Sequence, residues 1–249
     1  MHIYDKIIFD CDSTLVAIEG LDELAQLKGK KAEVAELTRL SMDGKVKLED
    51  VFSLKMAMIR PSKSDFEYLG NLYIKNLTED IEETIKLLLE LKKDILQMTG
   101  NFLPAVQILS RHLGIRQKNV YANKVYFNRK GDYTGFDSKN LLSVSGGKRV
   151  LVDKILQFDP KKNIAFVGDG STDTETKPPV KLFIGFGGVI HRENIKLHSD
   201  IYISCKSIAP IVRFILNEDE QKIGECKHVQ LFKKADRLIK NGYVYIKKQ

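Results

Sequence analysis

Six positions carry groups that could do chemistry together. They are Asp10 and Asp12 in IIFDCDSTLV (7–16), Thr99, Lys148, and Asp169 and Asp173 in GDGSTD (168–173). Carboxylates gathered in one place repel unless a cation neutralises them, and an all-oxygen donor set suits a hard ion such as Mg2+. A hydroxyl, a lysine and the free N–H groups where a loop enters a helix suit a phosphate. Acids for a metal, donors for an anion and one carboxylate left to attack describe metal-assisted phosphoryl transfer. On that chemistry Asp10 is the expected nucleophile, attacking phosphorus in line to give an aspartyl-phosphate. Asp12 is expected to protonate the leaving alkoxide and later to activate water. Asp10, the backbone carbonyl of Asp12 and Asp169 are the expected metal ligands, with Asp173 in support. Thr99 and Lys148 are expected to hold phosphoryl oxygens as charge builds.

Each piece has a plainer reading. Asp12 with Ser13 or Thr14 could cap a helix, GDG could be a turn, and Lys148 could be a surface lysine. Their joint placement carries the weight, because both acid pairs follow apolar runs that read as buried strands. Ile7–Phe9, Ile95–Met98, Ile164–Val167, Leu182–Phe186 and Ile201–Ser204 have strand character. Between them Ile81–Leu89, Phe102–Leu113 and residues 148–157 have helical spacing. Val120 and Tyr121 suggest one more short strand, and KVYFNRKGDYTGF (124–136) a hairpin around Lys130-Gly131-Asp132. Strands alternating with helices predict an α/β fold, a doubly wound Rossmann-like parallel sheet with its ligands at the carboxyl ends of the strands. Residues 19 to 76 are helical throughout and interrupt that alternation, so they are expected to form an inserted cap. The expected division is a core of residues 1–16 and 77–216, a cap of 17–76 and a C-terminal extension of 217–249.

Bulk properties narrow the classes. A chain of 249 residues can bury a sizeable core, and its composition is that of a globular protein, not a disordered or fibrous one. No apolar run approaches the roughly 18 residues of a membrane span, and the strand pattern beginning at Ile7 leaves no room for a signal peptide. Cys11, Cys205 and Cys226 form no disulfide framework or metal spacing, which favours a reducing, cytoplasmic setting. Net charge is +7, and from residue 221 onward eight Lys or Arg against two acids supply +6 of it. The basic character therefore belongs to the tail, expected to be solvated. With only Phe232, Tyr243 and Tyr245 nearby and no binding motif, nucleic acid is not the expected partner.

The motifs resemble the haloacid dehalogenase superfamily of phosphatases and, within it, the eukaryotic-type phosphoserine phosphatases. FDCDSTLV (9–16), EGLDELA (19–25), SGGK (145–148), GDGSTD (168–173) and KPPVKLFIGFGGVIHREN (177–194) carry the resemblance. NVYANKVYF and GDYTGFD add to it, and it runs colinearly from about residue 5 to 216. It implies an Asp nucleophile, Mg2+, a helical cap over a Rossmann-like core, and hydrolysis of O-phospho-L-serine to serine and phosphate in amino-acid biosynthesis. It also implies substrate contacts from Glu19, Met42, Lys55, Gly100, Asn101 and Thr172, with Glu19 at the substrate amine. A homodimer is compatible with it.

Several specificity positions depart from the family pattern. Thr99-Gly100-Asn101 stands where Ser-Gly-Gly is usual, Lys55 where an arginine pairs with the substrate carboxylate, and Leu48 where an aromatic often closes the lid. Lysine keeps the charge but loses the bidentate fork. The same chemistry on another small phosphate ester is thus the alternative. A response-regulator type of phosphoacceptor fits less well, since there the acid pair and the phosphoacceptor lie on different strands and no cap interrupts the chain.

Overall fold

Ile7, Ile8 and Phe9 are all fully buried, yet they face two different cores. Ile7 and Phe9 join one hydrophobic cluster and Ile8 joins the other. Ala165 and Val167 against Ile164 and Phe166 repeat the split. This is the period-two alternation of strands covered on both faces, as parallel sheets require. The computed structural model describes residues 4–42, 48–160 and 163–247, the side chains of 39–42, 48 and 49 excepted. Met42 and Leu48, both expected in the cap, therefore have side chains outside the described residues.

Strand β1 (Lys6–Phe9) is followed by four helices, α1 (Gly20–Leu27), α2 (Lys31–Met42), α3 (Leu48–Ile59) and α4 (Lys63–Lys75). Helix α5 (Ile81–Glu90), strand β2 (Asp94–Phe102), helix α6 (Leu103–His112) and strand β3 (Val120–Asn123) resume the alternation. Strands β4 (Val125–Phe127) and β5 (Tyr133–Phe136) form a separate antiparallel hairpin. Then come α7 (Gly147–Phe158), β6 (Ile164–Gly168), α8 (Ser171–Thr174), β7 (Leu182–Phe186), α9 (Glu193–His198), β8 (Ile201–Ile203) and α10 (Val212–Ile215). The chain closes with α11 (Glu218–Lys227), α12 (Val229–Lys240) and β9 (Val244–Ile246).

The main sheet has seven strands in the order β3-β2-β1-β6-β7-β8-β9. Every pair in it is parallel except β8–β9. The fold is thus the expected α/β type with a mostly parallel sheet and a helical region after the first strand. No helix among the described residues is long and apolar enough to cross a membrane.

Aromatic contacts fasten α3 and α4 to the sheet and the hairpin. Phe52 of α3 stacks on Phe102 at 5.5 Å and meets Phe136 of the hairpin edge-on at 5.4 Å. Phe66 of α4 meets Phe102 and Phe127 at 5.4 and 6.0 Å. Such pairs add about 0.5–1.5 kcal/mol each beyond the area they bury.

The tail differs from expectation. It packs on the body, with Leu231, Phe232 and Ala235 of α12 buried and β9 paired to β8. Part of its charge is spent on that docking. Lys234 Nζ lies 2.6 Å from Glu79 and 2.5 Å from Asp80, while buried His228 sits 3.3 Å from both Glu83 and Glu90. Amphipathic spacing in α12 drives the packing; the count of lysines conceals it.

Candidate active site

Because β1 and β6 are parallel neighbours in register, Phe9 opposite Val167, the residues that follow each strand emerge side by side. Asp10 comes directly after β1, and Asp169 directly after β6. Asp173 is brought back toward them by α8, where its carboxylate accepts the Gly170 N–H at 2.9 Å. One carboxylate oxygen from each of Asp10, Asp169 and Asp173 lies within 4.8 Å of the others, and all three residues are buried. Two cations face the cluster. Lys148 Nζ, from the first turn of α7, donates to Asp10 at 2.7 Å and to Asp173 at 2.5 Å. Arg192 reaches Asp169 through its carboxylate, and through its carbonyl at 3.0 Å.

Three buried acids against two cations leave an excess of negative charge in a low-dielectric site. Burial pushes the Asp10 carboxyl up to about 8; Lys148 pulls it down, while Asp173 and Asp169 push it further up. Burial and the neighbouring Asp173 raise Asp169 to about 7. Burial disfavours the Lys148 ammonium, but Asp10 and Asp173 more than offset that and hold its pKa above the usual lysine range. An all-oxygen trio that resists ionisation in its absence is what a divalent cation would relieve, so the donor set fits a hard metal ion.

Asp12 belongs to a different environment. Its side chain does not join the acid cluster. Oδ2 accepts the Gly20 N–H at 2.7 Å and the Asn101 amide at 3.0 Å, and Oδ1 accepts the Tyr73 hydroxyl at 2.7 Å. Burial raises its pKa to about 6, against the lowering effect of those three donors. Cys11, between the two acids, is fully buried with its thiol pushed up by burial, as a packed core thiol would be.

Thr99, Gly100 and Asn101 lie within β2, past the end expected from their sequence. They occupy the interval between Met98 and Phe102 where the register with β3 shifts. Across the irregularity the Asn101 N–H donates to Thr99 Oγ1 at 3.1 Å. Gly100 is anchored from behind, its carbonyl accepting the Asn123 amide at 2.7 Å.

Above these groups lies a cavity of about 240 Å³, lined by Asp10, Asp12, Thr99, Gly100, Asn101, Lys148 and Thr172 from the sheet side. Glu19, Leu21, Asp22, Phe52 and Lys55 line it from the helical region. The volume falls below the roughly 300 Å³ at which pockets for drug-sized ligands begin, so a small metabolite is the fitting size. Burial and the Asp12 charge raise Glu19 to about 7, while the Ser13 hydroxyl donates to it at 2.6 Å. Burial lowers the Lys55 pKa, opposed by Asp22 and Glu19.

The structure therefore gathers Asp10, Asp12, Glu19, Lys55, Thr99, Gly100, Asn101, Lys148, Asp169, Thr172 and Asp173 around one cavity or its floor. Sequence reasoning missed Tyr73 and Arg192. Tyr73 sits on an apolar helical face and reads as core. Arg192 was visible only as part of HREN, with no spacing to tie it to Asp169.

No family model matches the chain. It is 36% identical to phosphoserine phosphatase of Rattus norvegicus over 200 residues, covering 80% of this chain and 89% of the relative. The Homo sapiens phosphoserine phosphatase is 35% identical over the same coverage. Among solved structures, a phospho-aspartyl intermediate analogue of phosphoserine phosphatase superposes with a TM-score of 0.73 at 27% identity, covering 86% of this chain and all of that one. A substrate-bound phosphoserine phosphatase complex gives 0.73 at 26% identity over 87% of this chain.

Proposed function

This chain belongs to the phosphoserine phosphatase family of the haloacid dehalogenase superfamily, and from that membership we propose that it is a Mg2+-dependent phosphomonoesterase hydrolysing O-phospho-L-serine to L-serine and phosphate. The observation that carries the reading is the charge arrangement of the cavity. Its floor holds Asp10 with Lys148, and its helical side offers two carboxylates, Glu19 and Asp22, and one ammonium, Lys55. Those charges complement a phosphate ester that bears both an amine and a carboxylate.

Asp10 attacks phosphorus, forming an Asp10–phosphorus bond as the ester P–O bond breaks. Asp12 gives its proton to the departing alkoxide, then takes one from the water that cleaves the aspartyl-phosphate and restores Asp10. Thr99, Lys148 and the Gly100 and Asn101 backbone orient the phosphoryl oxygens, with Thr172 beside them. Asp10, the Asp12 carbonyl, Asp169 and Asp173 would hold Mg2+, which when bound neutralises charge on the phosphoryl group. Residues 17–76 act as the cap that closes the cavity over the core of 1–16 and 77–216, and 217–249 as an extension outside the catalytic unit. Three free cysteines agree with work in the reducing cytoplasm.

A second reading keeps the chemistry and changes the ester, because Lys55 supplies a point charge where a carboxylate is best gripped by a planar fork. Phosphate release from a panel of small esters, with and without Mg2+, separates the two. Preference for O-phospho-L-serine supports the first, and a strong preference for another ester overturns it. Asp10→Asn is expected to lower turnover by at least about a thousandfold; undiminished turnover would exclude the covalent route.

A further inference from the structure

Asp12 is held by a closed ring of hydrogen bonds that draws on both the helical region and the sheet. Tyr73, from α4, gives its one hydroxyl proton to Asp12 Oδ1 at 2.7 Å. The phenolic oxygen in turn accepts the Asn101 amide at 2.5 Å, and that same nitrogen reaches Asp12 Oδ2 at 3.0 Å. Asn101 is fixed at its other end, where Oδ1 accepts the Phe102 N–H at 2.8 Å. Tyr73 is fully buried, Asn101 is 5% exposed, and Tyr73 does not line the cavity. Packing leaves no slack, since a Cβ at Gly20 would fall 2.0 Å from the Tyr73 hydroxyl and 2.2 Å from the Asn101 amide.

A donor count on the carboxylate follows. Each carboxylate oxygen has two lone pairs. Oδ2 receives two donors, Gly20 N–H and the Asn101 amide, and is filled; Oδ1 receives Tyr73 alone and keeps one lone pair. We propose that Tyr73 and Asn101 are positioning residues that lock the Asp12 carboxylate so that Oδ1 alone carries the proton delivered to the leaving oxygen, tying the proton transfer to the seating of α4 on the sheet. This rests on the assignment of Asp12 as proton donor. The Tyr73 hydroxyl and the Asn101 side-chain amide are both engaged with the acid and with each other, so their part in the reaction runs through Asp12.

The test is the dependence on leaving group. An alkoxide needs a proton to depart, whereas p-nitrophenolate leaves without one, so misplacing the donor harms alkyl esters selectively. Tyr73→Phe and Asn101→Gly are compared with wild type on O-phospho-L-serine, ethanolamine phosphate and p-nitrophenyl phosphate, with melting temperatures recorded. The expected result is a loss in kcat/KM of about tenfold or more on both alkyl esters, and a loss at least about fivefold smaller on the aryl ester. Each variant removes one of the two side-chain donors to Asp12, so either one that folds decides the matter. Equal losses on alkyl and aryl esters, or no loss on any, would overturn the proposal while leaving the functional reading standing. Wild-type protein that hydrolysed only the aryl ester would overturn the functional reading itself, and this assignment with it.

Discussion

Lys148 donates to Asp10 across 2.7 Å with both side chains buried, although the two residues are 138 positions apart in the chain. The same ammonium also holds Asp173 at 2.5 Å, so one cation is shared by two acids.

Removing it should therefore show in stability as well as rate. Lys148→Met is expected to destabilise the metal-free protein by about 3–5 kcal/mol, the usual cost of leaving buried charge uncompensated. Urea melts in EDTA and in excess Mg2+ check this: a larger deficit in EDTA is expected, because the metal would replace part of the lost positive charge.

Glu19 predicts a pH effect of definite sign. Its folded pKa is raised to about 7 by burial, then by Asp12, against about 4.3 in an unfolded chain. Between those values the folded state holds a proton that the unfolded state has released. Its contribution is thus present below about pH 4.3 and lost as pH rises through about 7. Asp10 and Asp169 shift in the same direction, so the readout is the difference between wild type and Glu19→Gln. The variant should lose less stability between about pH 5 and pH 8 in metal-free urea melts; identical slopes would refute the account.

Lys55 should discriminate by substrate carboxylate. Lys55→Met is expected to raise KM for O-phospho-L-serine by about tenfold, the scale of one charge-assisted hydrogen bond. Ethanolamine phosphate, which lacks the carboxylate, should change little. Steady-state kinetics on both esters reads the contrast, and a uniform rise in KM would remove Lys55 from that role.

Phe232 tests whether the extension stabilises the fold without serving catalysis. It is 2% exposed, lies under the Arg213 guanidinium at 4.7 Å and packs against Gly224. Phe232→Ala should cost about 3–5 kcal/mol in chemical denaturation. Since no described residue of the extension lines the cavity, kcat measured well below the melting transition should stay near wild type.

Much of the architecture was legible because it depends on local periodicity. Ile7–Phe9 and Ile164–Val167 read as strands from their apolar runs, and parallel topology then required Asp10 and Asp169 to emerge at the same edge. TGN was harder. Alternation alone ended the strand at Met98, whereas a register irregularity carries β2 on to Phe102, and an irregularity of that kind depends on the neighbouring strand. Asn101 looked like a side chain thrust at the substrate. Only the meeting of α4 with β2 showed that it turns to Asp12, because its partner Tyr73 lies 28 positions earlier and bears no spacing signal.

The amino-acid sequence by itself determined the order of strands β1 to β8, the acids that follow β1 and β6 and the lysine that begins a helix, and the class of chemistry open to them. Those properties follow from side-chain type and short-range repeat. Tertiary structure decided what each polar group pairs with: Arg192 with Asp169, Tyr73 and Asn101 with Asp12, and Lys234 with Glu79 and Asp80. Pairing of buried polar groups is set by which surfaces meet in three dimensions, and residues far apart in the chain leave no periodic trace of it.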